Sequence, residues 1–368
     1  MIDGLVFLSY LFEVDQTVYY GITILLKAFL LFARNSGLTS ASRSSFAFLF
    51  SLAIIEIVSA VSNDVAILSS IRVIVFCVNL VVTLNFVGKY YWRGLVLVSA
   101  TDAIIYLTML ETGRITEIYG RYLFFANSHP NLGSEIFFGA AYACLLSSMP
   151  RLSLALVALF FVPTFFMQGR AAELGILCVA GILAWNYARE MRPAGRTILF
   201  FSIIGIGLVI AFNVDLAAAI DKVLLLDDEN RGGSTNASGR TLYWTAALAA
   251  WSGNPILGAG SDYPTRLGML QPHNFFLYPL ACYGLLGVIV LIIFLRKFSE
   301  LAFYGRFVYL LPLVPMLAFN DRFVNLNIYP TIMFLFIFFE WDKLDLYRRR
   351  ARTLSVAGPR RDISSASP

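Results

Sequence analysis

Apolar runs, most of them near the roughly 20 residues needed to cross a bilayer and the last two short, recur along most of this 368-residue chain. They fall near Val18–Phe32, Ser45–Ser62, Val65–Gly88, Gly94–Leu110, Gly133–Met149, Leu152–Gln168, Ala171–Tyr187, Thr197–Ala217, Phe275–Leu295, Phe307–Asn320 and Ile328–Trp341. In hydrocarbon, every backbone N–H and C=O must be satisfied internally, and a run of this length does so as a helix. The expected fold is therefore all-α, a polytopic integral membrane helical bundle with about 11 transmembrane helices, within a range of about 10–12. Met1–Phe12 is apolar but is followed by Glu13 and Asp15, which suits a half-span or an interfacial segment.

Composition agrees. Residues are 58% hydrophobic and 14% charged, against roughly 45–50% and about 25% in soluble domains. A soluble enzyme, a nucleic-acid-binding domain and a disulfide-stapled module are excluded on that basis. Cys77, Cys144, Cys178 and Cys282 each lie inside an apolar run with no CxxC spacing, so neither a disulfide nor a zinc site is expected. The first residues lack a basic n-region and a small-residue cleavage site, so no cleavable signal peptide is expected.

The formal charge is +5, but placement matters more than the sum. Arg34, Arg43, Lys89, Arg93, Arg151, Arg189, Arg192, Arg196, Arg296, Lys297, Arg306, Lys343 and Arg348–Arg352 alternate onto one side of the expected bundle. The positive-inside bias makes that side cytoplasmic. The outer side then carries Glu111–Leu132 and the long segment Ala218–Asn274. The expected organisation is N-terminal spans over 1–217, an extracytoplasmic loop over 218–274, C-terminal spans over 275–347, and a basic, disordered cytoplasmic tail over 348–368.

Within the loop, Asp227–Asn236 is polar and Gly-rich. A helical pattern follows, with Ser238 as N-cap, Trp244, Leu248 and Trp251 at i, i+4 and i+7, and Asn254-Pro255 as the stop. This helix is expected to lie at the outer interface. Arg240 opens it, Arg170 opens the Ala171 span, and His273 precedes the Phe275 span. Unpaired N–H groups and the positive end of the helix dipole at such positions favour phosphate. The same surroundings keep the His273 imidazole neutral and able to accept a proton.

These residues resemble the outer-loop signature of the O-antigen ligase and O-antigen polymerase superfamily. The resemblance rests on Ser238-Gly239-Arg240-Thr241-Leu242-Tyr243-Trp244, Asn254-Pro255-Ile256-Leu257-Gly258-Ala259-Gly260, His273-Asn274-Phe275-Phe276-Leu277 and Gly284-Leu285-Leu286-Gly287. Upstream, Asn127-Ser128-His129-Pro130-Asn131 is similar to an Asn-Pro-Asn-like element and Gly169-Arg170-Ala171-Ala172 to a Ser-Arg-Gly-Ala-like one. The departures are Gly169 where Ser is common, His129 in the upstream element, and no clear first span. The resemblance implies a bacterial inner-membrane glycosyltransferase with its site facing the periplasm, working without metal or cofactor. Its donor would be an undecaprenyl-diphosphate-linked oligosaccharide and its acceptor a glycan hydroxyl. Implied partners are the bilayer and a chain-length regulator or flippase, with no nucleic acid. By motif, Arg170 and Arg240 would hold the diphosphate and His273 would serve the acceptor hydroxyl. His129, Asn131, Tyr243, Trp244 and Asn274 are the further candidate substrate contacts.

Glu56, Arg72 and Asp102 are ionisable residues that interrupt spans. Each lies about 9–12 Å below the outer helix ends at 1.5 Å per residue. Charges at that depth are costly unless paired or wet, so a Glu56–Arg72 pair with Asp102 nearby is expected, serving helix packing. Arg114, Arg121, Arg266 and Arg322 are further outer cations. Asp227-Asp228-Glu229 reads as a mobile loop rather than a metal site. The leading function is repeat-unit polymerisation. The alternatives are a ligase attaching polymer to lipid A core or protein, and a lipid-oligosaccharide transporter, which would need paired broken helices and polar residues near the midplane.

Overall fold

The computed structural model describes residues 2–33, 43–118, 120–125, 128–147, 149–193, 240–269, 272, 274–319 and 331–343. Over them the chain is a helical bundle with one two-residue β-hairpin. A turn of 3-10 helix, Ile2–Leu5, leads into α1 (Val6–Leu11), followed by α2 (Gln16–Ala33), α3 (Arg43–Asn63), α4 (Ile67–Leu84) and α5 (Lys89–Glu111). Strands β1 (Glu117–Ile118) and β2 (Arg121–Tyr122) pair antiparallel before α6 (Pro130–Leu146), α7 (Pro150–Met167) and α8 (Arg170–Glu190). Then come α9 (Arg240–Gly253), α10 (Leu277–Leu301), the short helices Phe307–Leu310 and Val314–Phe319, and α11 (331–343). Every expected span falls on a described helix except Thr197–Ala217, which lies outside the described residues, as does the tail 348–368.

Among the described residues, six helices are long and apolar enough to cross a membrane, which makes this a multi-pass membrane protein. The helices differ in how they are enclosed. Outer rows such as Phe29 and Phe32 on α2 or Val61 on α3 face outward, as lipid contact requires, whereas α6 is enclosed along nearly its whole length. Gly139, Ala140, Ala141 and Ala143 give α6 a narrow waist, and small residues of this kind are what let helices approach closely inside a bilayer. Helices α5, α7 and α8 pack around it, and Phe137, Phe138 and Tyr142 fill the gaps.

The bundle has two distinguishable ends. At one, basic side chains meet acids, carbonyls and rings: Arg306 Nε lies 3.1 Å from Glu340 Oε2, Arg93 Nε donates to the Ser147 carbonyl at 3.1 Å, Ser45 Oγ donates to Asp342 at 3.0 Å, and Lys297 Nζ sits 4.2 Å from the Trp341 ring. The other end carries the β-hairpin and the segment between α9 and α10, and is called the loop end below.

The first residues form a half-length helical segment. Asp3, almost fully buried, forms an ion pair with Lys27 of α2. Lys27 also donates to Asn79 at 2.9 Å and Thr83 at 2.7 Å on α4, and Tyr91 of α5 donates to Asp3 at 2.9 Å. This buried network was absent from the sequence-based expectations.

The expected Glu56–Arg72 pair does not form. Arg72 reaches out of its helix to Asp15 at 3.2 Å, with both side chains about half exposed. The cause is geometric: a long side chain little more than one turn from a helix end reaches solvent at lower cost than it pays to enter the core. Glu56 turns inward and is completely buried. Asp102 is also buried, with no hydrogen-bond partner on either carboxyl oxygen among the described residues.

Candidate functional site

The loop end holds two polar assemblies. The first joins the starts of α6 and α8 to the end of α7. His129 caps α6 by accepting the Asn131 N–H on Nδ1 at 3.2 Å, with Pro130 at the first helical position, where its missing donor costs nothing. Arg121 on β2 then ties three connections together. Its Nη2 donates to Asn131 Oδ1 at 2.6 Å, and its Nε donates to the Met167 carbonyl at 2.9 Å, where α7 ends. Gln168 follows in the left-handed region (φ 52) and donates from its side-chain amide to the Gly120 carbonyl at 2.8 Å.

That turn delivers Arg170 as the first residue of α8, half-buried. One turn further on, Glu173 is buried within electrostatic reach of both Arg170 and Arg121. A side chain on Gly169 would run into Ser134 of α6, which accounts for the missing serine in the Ser-Arg-like element. Glu173 was missed at the sequence level, although an acid three residues after Arg170 in an apolar run was a usable signal.

The second assembly is built from the segment between α9 and α10. Helix α9 starts at Arg240, whose backbone alone is described, and ends at Gly253 as the Asn254-Pro255 stop requires. It packs on α10. The buried residues are Ala247 and Ala250, while Leu248 of the expected aromatic stripe is exposed and Trp244 and Trp251 are half-buried, as is Tyr243. The face that packs is therefore the small-residue face, which allows the closer approach.

Helix α10 is broken at Gly284 (φ 58, ψ −136), a conformation open in practice only to glycine. A break in a spanning helix strips backbone groups of their partners, and these must be re-satisfied. The Asn254–Gly260 segment does this. Ala259 and Gly260 N–H groups donate to the Ala281 and Cys282 carbonyls at 2.7 and 2.9 Å, and Leu285 N–H donates to the Pro255 carbonyl at 2.9 Å. The contact is backbone on backbone: a Cβ on Gly284 would lie 2.5 Å from the Pro255 oxygen and 2.6 Å from the Gly258 nitrogen.

Asn274 caps α10, its Oδ1 accepting the Phe276 and Leu277 N–H groups at 2.9 and 3.1 Å. Its side-chain amide reaches the Ala318 carbonyl at 3.5 Å, and Phe275 N–H donates to the Leu317 carbonyl at 3.2 Å. The short helix Val314–Phe319 also packs on α8. It thus forms a common wall between the helix opened by Arg170 and the cap that follows position 273.

His273, Arg322 and the stretch 194–239, with Asp227-Asp228-Glu229 and Ser238, lie outside the described residues. Arg266 and Arg114 do not join the Arg121 assembly. Arg266 binds Asp262 at 3.2 Å and the Ala259 carbonyl, and Arg114 is exposed beyond the end of α5.

Residues 154–292 match the family model described as O-Antigen ligase, which supports the O-antigen ligase and polymerase superfamily read from the motifs. No curated protein matches the chain.

Proposed function

With the O-antigen ligase match over residues 154–292 as premise, we propose that this membrane protein transfers glycan from an undecaprenyl-diphosphate-linked donor to a sugar hydroxyl, most directly as a repeat-unit polymerase. The observation that carries the reading is that match, since it encloses Arg170, Arg240 and His273. Orientation follows from charge: the loop end faces the periplasm and the end with Arg93, Lys297 and Arg306 faces the cytoplasm of a bacterial inner membrane.

In this reading Arg170 and Arg240 hold the donor diphosphate and stabilise the charge that grows on it as it departs. His273 accepts the proton of the attacking hydroxyl. The acceptor oxygen bonds to the anomeric carbon as the bond from that carbon to the phosphate oxygen breaks, and undecaprenyl diphosphate leaves with its tail in the bilayer. Direct attack inverts the anomeric configuration. Arg121 and Glu173 support Arg170, the first by fixing the turn before it and the second by placing a carboxyl one turn below. The reaction as written needs no metal.

The family description favours a second reading, a ligase that moves finished polymer onto lipid A core or protein. The donor chemistry is shared, so the acceptor decides. Purified protein in lipid, given lipid-diphosphate oligosaccharide with either lipid-linked glycan or lipid A core, should extend the first for a polymerase and modify the second for a ligase. His273→Ala should lose about 10²–10⁴ in rate, and Arg170→Ala and Arg240→Ala should lose transfer as well. Variants that keep the parental rate would overturn the site, and wild type that uses neither acceptor would overturn the function.

A further inference from the structure

Glu56 sits about two turns from the end of a bilayer-length helix, completely buried, while Arg72, the partner expected for it, pairs with Asp15. A carboxyl at that depth is expensive and is retained where it does something. Its Oε1 accepts the Ser70 hydroxyl of α4 at 3.0 Å and the Ser261 hydroxyl of the α9–α10 segment at 2.7 Å. Tyr283, the residue before the Gly284 break, and Cys77 of α4 lie within its electrostatic reach.

Glu56 also begins a polar stripe. Ser59 and Asn63 follow at i+3 and i+7, on the same face of α3. Ser59 Oγ donates to the Leu257 carbonyl at 3.2 Å and to the Cys282 carbonyl at 3.0 Å, one of the oxygens exposed by the helix break. Asn63 Oδ1 accepts the Asn254 side-chain amide at 3.4 Å. Just beyond the end of α3, Ala66 N–H donates to Asp262 Oδ2 at 3.0 Å. Every polar side chain of the stripe therefore ends on the segment 254–262 or on the unwound turn that this segment seals.

We infer that Glu56 is a positioning residue for the transfer reaction: through Ser261 it latches the segment 254–262 to α3 and α4, and so fixes α9, which Arg240 opens, relative to the Asn274 cap of α10. The inference rests on the transferase reading above. The segment is the first part of the covalent connection between those two elements, and from the α3 side it is held by side chains. Misplacement of a positioning element by about 1 Å is enough to cost on the order of 10²-fold in rate.

The test uses the full chain in lipid nanodiscs and two readouts per folded molecule. Hydrogen exchange follows the amides of Ala259, Gly260 and Leu285; steady-state kinetics with a lipid-diphosphate oligosaccharide donor separates kcat from KM. Glu56→Ala is expected to speed exchange at those amides about tenfold or more and to lower kcat by roughly 10–10²-fold, with acceptor KM within about threefold. Glu56→Gln keeps an oxygen acceptor for both serines and should restore both readouts to within about threefold of wild type. If Glu56→Ala does not fold, Ser261→Ala removes the other half of the same bond and carries the same expectation. Folded variants with parental exchange and parental kcat overturn the latch. Faster exchange with unchanged kcat overturns the positioning role, because a purely structural contact would loosen the segment without changing turnover per folded molecule. Wild type inactive with every donor would refute the transferase reading and the kinetic half with it, while the exchange comparison would still decide whether Glu56 holds the segment.

Discussion

Replacing Gly284 by alanine tests the sealed helix break directly. Alanine would have to hold φ 58, ψ −136, a region that costs a non-glycine residue about 1–3 kcal/mol. Its Cβ would also meet Pro255 O at 2.5 Å, Gly258 N at 2.6 Å and Ile256 C at 2.7 Å, all of them backbone atoms that cannot rotate away. Relief requires the 254–260 segment to recede, which gives up the Leu285–Pro255 hydrogen bond, a loss of about 0.5–1.5 kcal/mol. The sum is roughly 2–4 kcal/mol. With an unfolding entropy near 2 cal/mol/K per residue, that lowers the melting midpoint of a chain this long by roughly 3–5 °C. Gly305→Ala is the matched control, since Gly305 also has positive φ (80) but nothing within 4 Å of the added carbon. The assay is the melting midpoint of purified protein in lipid, with turnover measured on the same samples. A Gly284→Ala protein that melts no lower than Gly305→Ala, at wild-type turnover, would refute the argument that the segment and the broken helix are in backbone contact.

Two further outcomes are expected. Lys27→Ala strands Asp3 in the core, and breaking a buried pair typically costs about 3–5 kcal/mol; the double variant Lys27→Met with Asp3→Asn should recover most of the lost melting midpoint, and a double variant no better than the single would show that the pair is not coupled. Arg121→Gln removes charged donors from the Met167 carbonyl and Asn131, worth about 1–2 kcal/mol after allowing for partial exposure. It should also raise donor KM by shifting Arg170, and Arg121→Lys should not rescue it, because lysine lacks the planar fork that spans both acceptors; an unchanged donor titration would refute this role.

Span positions were legible because a hydrocarbon solvent permits so few solutions: α2, α3, α4 and α8 fall almost where their apolar runs do. The stop at Asn254-Pro255 was legible for a local reason, the absent N–H of proline. What stayed hidden depended on partners distant in the chain. Arg72 was assigned to Glu56 because both lie at one depth, but depth leaves rotation about the helix axis open, and Arg72 turned outward to Asp15. Lys27 passed unnoticed inside an apolar run because one lysine barely changes its average, and its partner Asp3 sits in a segment too short to read as a span. The break in α10 hinged on the backbone angles of one glycine within a run that reads as continuous helix. Near the candidate site, the motif put Arg170 at a helix start, as α8 has it, while the cap made by Asn274, expected only as a substrate contact, together with Glu173 and the latch on Glu56, became visible only once α10, α8 and α3 had neighbours.

The enclosed position of α6 bears on how the chain is assembled during synthesis. Helices α7 and α8, which cover two of its sides, leave the ribosome after it does, so α6 first meets lipid on faces that end up against protein. Its largely apolar circumference, interrupted by Glu135 near its start, lets it wait there, and each later arrival displaces lipid rather than water. Consecutive packing of α5, α6, α7 and α8 lets this half of the bundle close in the order in which it is made, before the segment that joins α9 to α10 exists to be latched.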